Sequence, residues 1–258
     1  FLSLSHWPFH FHVQFLTMIF PDTTFAATIT LLIGSGLVLY RSSSVIDDED
    51  KGQIEDDFSV LPCIRSRCSI FPSAYLQDPP PLDERIIQSL LDAALWGPYH
   101  GKCFSGCQHP AKFVVLGKQS MVEMQNMTLD YYDKNWKEVG WGSGNDGSSR
   151  EEYEIWRKMT QDEITGRWGP CCYMIAIIMR RQTGPKRLPE WEEGAAVAAA
   201  TQNMHIQSTK FPQLACYWSS WHDAARDSDE MKNFLKMDDE DKCLGFFIVA
   251  QRKDPRSK

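Results

Sequence analysis

The stretch from Pro189 to Trp221 limits the architecture more than any other part of the chain. From Gly194 to Thr201 the side chains have almost no bulk, so another backbone or a flat ring can approach closely. Gln202, Asn203 and His205 then place polar groups on a helix otherwise built for burial. Leu214 to Trp221 is apolar and aromatic, with two serines set between two tryptophans. Two readings stay open at this level. One is a buried core helix leading into a strand. The other is a helix packed against its twin in a dimer, with a flat cofactor beside the serines.

The remaining chain narrows the choice. A length of 258 residues is ample for one sizeable core, or for a domain plus an anchor. A formal charge of -7 without a clustered basic face argues against nucleic acid as a partner. Cysteines stand at 63, 68, 103, 107, 171, 172, 216 and 243, several beside apolar runs. In a chain long enough to fold without staples they read as reduced, buried small hydrophobes. Cys103 and Cys107, with His100 and His109 nearby, have zinc-like spacing, but no second Cys/His pair answers them. No metal is expected.

Residues 1–40 contain no lysine, arginine or glutamate, and Asp22 is their one formal charge. Phe25 to Tyr40 is uncharged, and counted from Thr23 the run approaches bilayer-spanning length. A signal anchor starting near Met18 is the first expectation, and removal of the segment as a targeting signal the second. Residues 41–58 have the polar, acidic composition of a linker. The folded domain is expected over 59–258.

Within that domain, Leu82 to Trp96 carries an amphipathic stripe stopped by Gly97-Pro98, and Lys112 to Leu116 reads as a strand. Gln119 to Tyr132 and Arg150 to Thr165 read as helices around a glycine-rich loop. Trp136 to Trp168 holds four tryptophans, which suits a lid over a ligand or partner and equally suits core packing. Cys172 to Met179 is too continuously apolar to have a wet face and predicts a central strand. Ser228 to Met237 predicts a short helix, and Leu244 to Ala250 the last strand. Strands separated by helices, without a regular βαβ beat, give an α+β domain with one buried sheet.

Several of these segments, taken in order, resemble the flavin-dependent nitroreductases, in particular their small, minimal-length branch, from about Val60 to Lys253. Arg67-Cys68-Ser69 stands where that family has Arg-Arg-Ser. Trp96-Gly97-Pro98-Tyr99-His100 is similar to the segment ending its first long helix. Gln108 to Phe113 resembles its Gln-Pro-Trp-x-Phe, and Gly169-Pro170 its Ala-Pro before a strand. Glu193 to Met204 resembles the central helix, Trp218-Ser219-Ser220 a Trp-Arg-Ser segment bordering the flavin, and Leu244-Gly245-Phe246 the closing strand.

The resemblance implies a nitroreductase-like sheet flanked by helices, and a homodimer with FMN in each of two clefts between subunits. It implies ping-pong chemistry, in which NAD(P)H reduces the flavin and the flavin reduces a nitro, quinone or related small acceptor. The flavin carries such chemistry and the protein orients it, so no catalytic side chain is assigned. Arg67, Cys68 and Ser69 would border the phosphate end, with Arg65, Arg252 or Lys253 adding charge. Trp96, His100, Trp218, Ser219 and Ser220 would flank the rest of the cofactor.

The chain also departs from the family pattern. Cys68 and Ser219 replace arginines, Phe71 a basic residue and Trp221 a glycine beside the ring. Pro212 replaces a glycine that ends the helix, and Ala111 replaces a tryptophan. Fewer positive charges weaken phosphate binding and stabilise an anionic reduced ring less. A flavin-free structural or interaction protein on the same fold is therefore the alternative. A reductive dehalogenase is the second alternative, but its Glu-x-x-x-Tyr pair is not found between Met121 and Trp168.

Overall fold

In the computed structural model the described residues are 28–33, 36–41, 59–103, 108–139, 141, 149–183 and 187–254. They fall into two units, 1–57 and 58–258. In the first unit, β1 (Thr28–Ile33) and β2 (Gly36–Arg41) pair antiparallel, Thr28 opposite Arg41 and Ile33 opposite Gly36. Where a spanning helix is expected, the described residues of this run are strands. Thr28, Ile29, Thr30, Ile33 and Val38 are β-branched and favour a pleated backbone. The two-residue sequence between the strands, Gly34-Ser35, has hairpin-loop composition. Among the described residues no helix is long and apolar enough to cross a membrane. The proposed start at Met18 and most of the acidic linker lie outside the described residues.

The second unit begins with the short helix α1 (Pro62–Ser66), a 3-10 turn at Pro72–Ala74 and helix α2 (Glu84–Ala94). The Asp83 carboxylate caps α2 by accepting from Arg85 N at 2.9 Å. A 3-10 turn at His100–Cys103 leads to β3 (Ala111–Leu116). Helices α3 (Lys118–Asn135) and α4 (Arg150–Trp168) precede β4 (Tyr173–Met179). Then come α5 (Glu190–Ser208), β5 (Leu214–Ser219), α6 (Asp223–Arg226), α7 (Asp229–Phe234) and β6 (Lys242–Gln251).

The four strands form an antiparallel sheet in the order β3-β4-β6-β5. Residue alternation sends β4 and β6 into two cores, one on each face. Met174, Ala176, Ile178, Phe246 and Ile248 pack toward α3, α4 and α7. Ile175, Ile177, Met179, Phe247 and Val249 pack toward α2 and α5. Both faces are dry, which is why the apolar runs continue without a polar beat.

Helix α2 lies close on α5, and the small residues explain the distance. A Cβ added at Gly97 would meet Ala200 Cβ at 2.8 Å and its Cα at 2.9 Å. Three glutamates in the first turn of α5 suit the positive end of the helix dipole. One of them, Glu193, is buried and paired with Arg181, whose backbone N also donates to Asp241 Oδ1 at 3.0 Å. This arrangement pins the start of α5 to the segment that leaves β4.

The tryptophans that suit either a lid or core packing are packed against one another. Trp141 and Tyr153 are buried, and Trp136, Trp156 and Tyr132 join them in a third core between α3 and α4. Residues 140 and 142–148, the glycine-rich loop, lie outside the described residues.

Candidate functional site

Residues 67–71 run beside β5, the edge strand of the sheet, where Ile70 N donates to Cys216 O at 3.1 Å. Arg67 closes α1 as its C-cap, and its guanidinium Nη1 lies 3.5 Å from Nδ1 of His205 on α5. The His205 Nε2 lies 3.1 Å from the Cys68 carbonyl oxygen. A single tautomer, protonated on Nε2, serves both contacts: Nδ1 accepts from Arg67 and Nε2 donates to Cys68 O. His205 thus orients the one arginine retained in this segment. Cys68 and Ser69 are exposed, and Arg65 lies on the exposed side of α1.

Two residues beyond Ser69, the Phe71 ring packs on Tyr217 of β5 with centroids 5.1 Å apart. Phe71 and Tyr217 also wall a trough of about 330 Å³ together with Trp218, Ser219, Ser220 and Trp221. Glu163, Arg167 and Trp168 from the end of α4 form its other side, with His222. That volume falls at the small end of the range for ligand pockets.

The turn at the trough is held by its own side chains. Ser219 Oγ accepts from Trp221 N at 3.2 Å, a serine turn, and Arg226 Nη1 donates to Ser220 O at 2.9 Å. Trp221 takes φ 61, a left-handed conformation that a glycine adopts without strain. Its indole turns into the core against Trp168, at 4.6 Å between centroids. Trp221 therefore makes a floor and does not fill the trough. Trp218 Nε1 donates to Leu244 O at 2.8 Å. Gly245 follows at φ 117, and a Cβ there would meet Ser219 O at 2.2 Å, so only glycine lets β6 approach this turn.

The other two expected site residues lie elsewhere in the chain. Trp96 is 85% exposed and flanks a groove of about 430 Å³ between α2 and α5, lined by Ser89, Asp92, Asn203 and Gln207. His100 Nε2 pairs with Glu192 at 3.3 Å, at the first turn of α5. Glu192 precedes His205 by 13 residues of helix, so at 1.5 Å rise per residue His100 stands ~20 Å along α5 from Arg67. One chain alone does not bring His100 to the Arg67 segment. Arg252 and Lys253 sit near the 3-10 turn at Pro72–Ala74: Lys253 Nζ donates to Ser73 O at 3.1 Å, and Arg252 bridges to Tyr75.

Phe71, Trp168, His205 and His222 also belong to the candidate site. The sequence marks Phe71 only as a lost basic residue and His205 only as a polar group on the central helix, while Trp168 and His222 arrive through the packing of α4 and the turn after β5. Burial lowers the pKa of His222, although Glu163 and Asp223 oppose the shift. The buried thiols are inert by the same physics: burial pushes Cys171 up to about 12 and Cys243 up to about 11. Cys107 of the zinc-like quartet lies outside the described residues. A charged pocket of about 530 Å³ stands near β6, where Arg187, Lys242 and Arg226 lie against Glu240, Glu190 and Asp227.

No family model matches the sequence, and no curated protein matches it. Solved structures do. A nitroreductase-like family protein from Bacillus cereus matches with a TM-score of 0.53 at 14% identity, over 80% of this chain and 92% of that one. The FMN-dependent nitroreductase NfnB from Mycobacterium smegmatis, in complex with NADPH, matches with a TM-score of 0.51 at 10% identity. That match covers 76% of this chain and 92% of the other. A mutant of an FMN- and NADPH-dependent nitroreductase from a Sphigopyxis strain matches with a TM-score of 0.50 at 12% identity, over 74% and 87%. Identities this low speak for architecture, and the architecture is that of the nitroreductases.

Proposed function

We propose that the chain is an FMN-dependent oxidoreductase of the nitroreductase type, taking reducing equivalents from NAD(P)H and passing them to a nitro, quinone or related small acceptor. The observation that carries this reading is the open trough beside Trp218-Ser219-Ser220, two residues from the Arg67–Ser69 segment. FMN, when bound, supplies the two-electron chemistry. The residues present fit such a group in kind. Arg67, oriented by His205, and the Ser69 hydroxyl offer charge-assisted and directed hydrogen bonds to a phosphate. Trp218, Phe71 and Tyr217 offer aromatic walls to a flat ring, and Trp168 and Trp221 seal the floor against water. The visible spectrum of the purified chain after FMN addition and desalting tests the reading. Retained flavin colour that NADPH bleaches without oxygen supports it, and a colourless protein overturns it.

A homodimer through α5 completes the reading. Trp191, Ala195, Ala198 and Gln202 form an exposed stripe along α5. Leu95 and Trp96 extend the uncovered apolar surface, and Leu95 and Trp191 are each 71% exposed. A two-fold interface pairs residue i with j and j with i. Two copies of α5 crossing in opposite directions would set the His100 end of one beside the Arg67 end of the other. Residues that one chain holds apart would then share a cleft.

The flavin-free alternative keeps one observation in its favour. Phe71 covers Tyr217 with a neutral ring at a place where a cation would serve an anionic cofactor. Stoichiometric FMN uptake dismisses that alternative.

A further inference from the structure

A run of five rings leads from the trough into the core between α3 and α4. Trp221 on the trough floor meets His222 edge-on, with ring centroids 5.4 Å apart. His222 meets Tyr132 at 5.9 Å, Tyr132 meets Trp156 at 4.9 Å, and Trp156 meets Tyr153 at 5.8 Å. The run ends on a phenol with a base in place: the Tyr153 hydroxyl donates to Asp133 Oδ1 at 2.6 Å. Arg157 holds the same carboxylate, with Nη2 at 3.1 Å from Oδ2.

Aromatic packing accounts for rings in contact. It does not call for a fully buried phenol donating to a carboxylate at the inner end of a line that starts at a ligand-sized trough. The next ring outward, Trp136, stacks on Tyr153 and has Arg150 and Lys137 over its face at 5.5 and 5.4 Å. Those cations penalise a positive charge on Trp136. Arg150 also lies 5.2 Å from the Tyr153 ring, but a phenol that yields its proton as it is oxidised becomes a neutral radical and escapes that penalty.

We propose that this run is a one-electron relay that carries an oxidising equivalent from the trough to Tyr153. A one-electron oxidant of the oxygen-radical class, formed in the trough, takes one electron from the Trp221 indole and is reduced by it. Trp156 refills Trp221 across the Tyr132 and His222 rings, which couple the two without being oxidised. Tyr153 then refills Trp156. As Tyr153 gives up its electron, its phenolic proton passes to Asp133 along their hydrogen bond. A thiol- or ascorbate-class reductant in solution returns the electron, and Asp133 returns the proton. The effect is to move damage away from the trough to a residue that can be repaired. The source of the oxidant rests on the flavin reading above; the relay itself does not.

Pulse radiolysis of the purified full chain without cofactor tests it. Azidyl radicals oxidise indoles by one electron, and the decay of indolyl absorbance into phenoxyl absorbance reports transfer within the protein. The wild type is expected to show a first-order conversion independent of protein concentration. Tyr153→Phe, which keeps the ring, loses the phenoxyl signal, and Trp156→Phe slows its appearance. Asp133→Asn leaves every ring in place and removes the proton acceptor, and it too slows the step, with circular dichroism confirming the fold of each variant. Conversion at the wild-type rate in both Tyr153→Phe and Trp156→Phe overturns the relay, as does a wild type with no conversion. Because no flavin is present, a failed FMN titration and a failed relay are read separately.

Discussion

The Trp221 indole donates its Nε1–H to Thr128 Oγ1 at 3.0 Å, tying the floor of the trough to the middle of α3. Thr128 is fully buried and its hydroxyl in turn donates to Met124 O at 2.9 Å. Thr128→Val keeps the shape but leaves the indole donor unsatisfied in a dry core, so it should cost about 1–3 kcal/mol. Urea unfolding of the two proteins measures this, and equal midpoints would remove the bond from the account of the floor.

Trp221 itself sits at φ 61, where a glycine would be relaxed. Trp221→Gly therefore relieves backbone strain but empties the space beside Trp168 and Phe246. Removing a buried tryptophan costs about 3–5 kcal/mol, well above the ~1–3 kcal/mol of strain. Lower stability together with a deeper trough is expected, read as a drop in melting temperature with FMN affinity unchanged or tighter. A variant as stable as the parent would show that the indole packs poorly.

On the flavin reading Arg67 would carry the phosphate end nearly alone, since Cys68 and Phe71 are neutral. Hydrogen bonds to charged groups contribute about 1.5–3 kcal/mol, so Arg67→Ala should weaken FMN binding roughly 10- to 100-fold. Arg65→Ala, two residues back on the exposed side of α1, serves as the control and should leave affinity nearly unchanged. Isothermal titration compares them. Equal losses would mean that the two arginines act only as a diffuse field.

Much of this scaffold was legible in the sequence, and the failures have physical causes. Cys172 to Met179 reads as a buried central strand because eight residues in a row lack a polar beat, and β4 is flanked by β3 and β6. The amphipathic stripe from Leu82 and its Gly97-Pro98 stop marked α2 to within a few residues. Phe25 to Tyr40 was legible as apolar but not as strand, because hydropathy records how apolar a run is and not its backbone form. Its β-branched residues and the Gly34-Ser35 pair pointed instead to the hairpin of β1 and β2. The trough was half legible: Trp218 to Ser220 lie on one strand end, but Arg167 and Trp168 reach them only once α4 has packed. Nothing local announces that a tryptophan will adopt a glycine's conformation, as Trp221 does.

The exposed stripe on α5 predicts where a second copy binds. Ala198 lies at its middle, and an arginine there would be buried without a partner in a two-fold interface. Stranding one buried charge costs about 3–5 kcal/mol. Ala198→Arg should therefore shift the protein from dimer to monomer in light scattering after gel filtration, and FMN retention should fall with it. A monomeric wild type would end the shared-cleft argument, whereas a dimer indifferent to Ala198→Arg would move the interface off α5.

His222 gives the fold a dependence on pH whose direction follows from its burial. The ring is packed against Tyr132, Trp168 and Trp221, and burial keeps its pKa below the ordinary 6.5. Glu163 and Asp223 pull it upward and Arg167 pushes it further down, but desolvation is the largest influence. As pH falls through 6.5 the unfolded chain takes up a proton that the folded chain still refuses, so the equilibrium moves toward unfolding. The loss grows until the folded pKa is passed and then levels off; above 6.5 the stability is fully present. His222→Phe keeps a ring in the aromatic cluster and removes the titration. Its melting temperature should fall less than that of the wild type between pH about 7.5 and about 5.5. Parallel falls in the two proteins would assign the acid sensitivity to other groups.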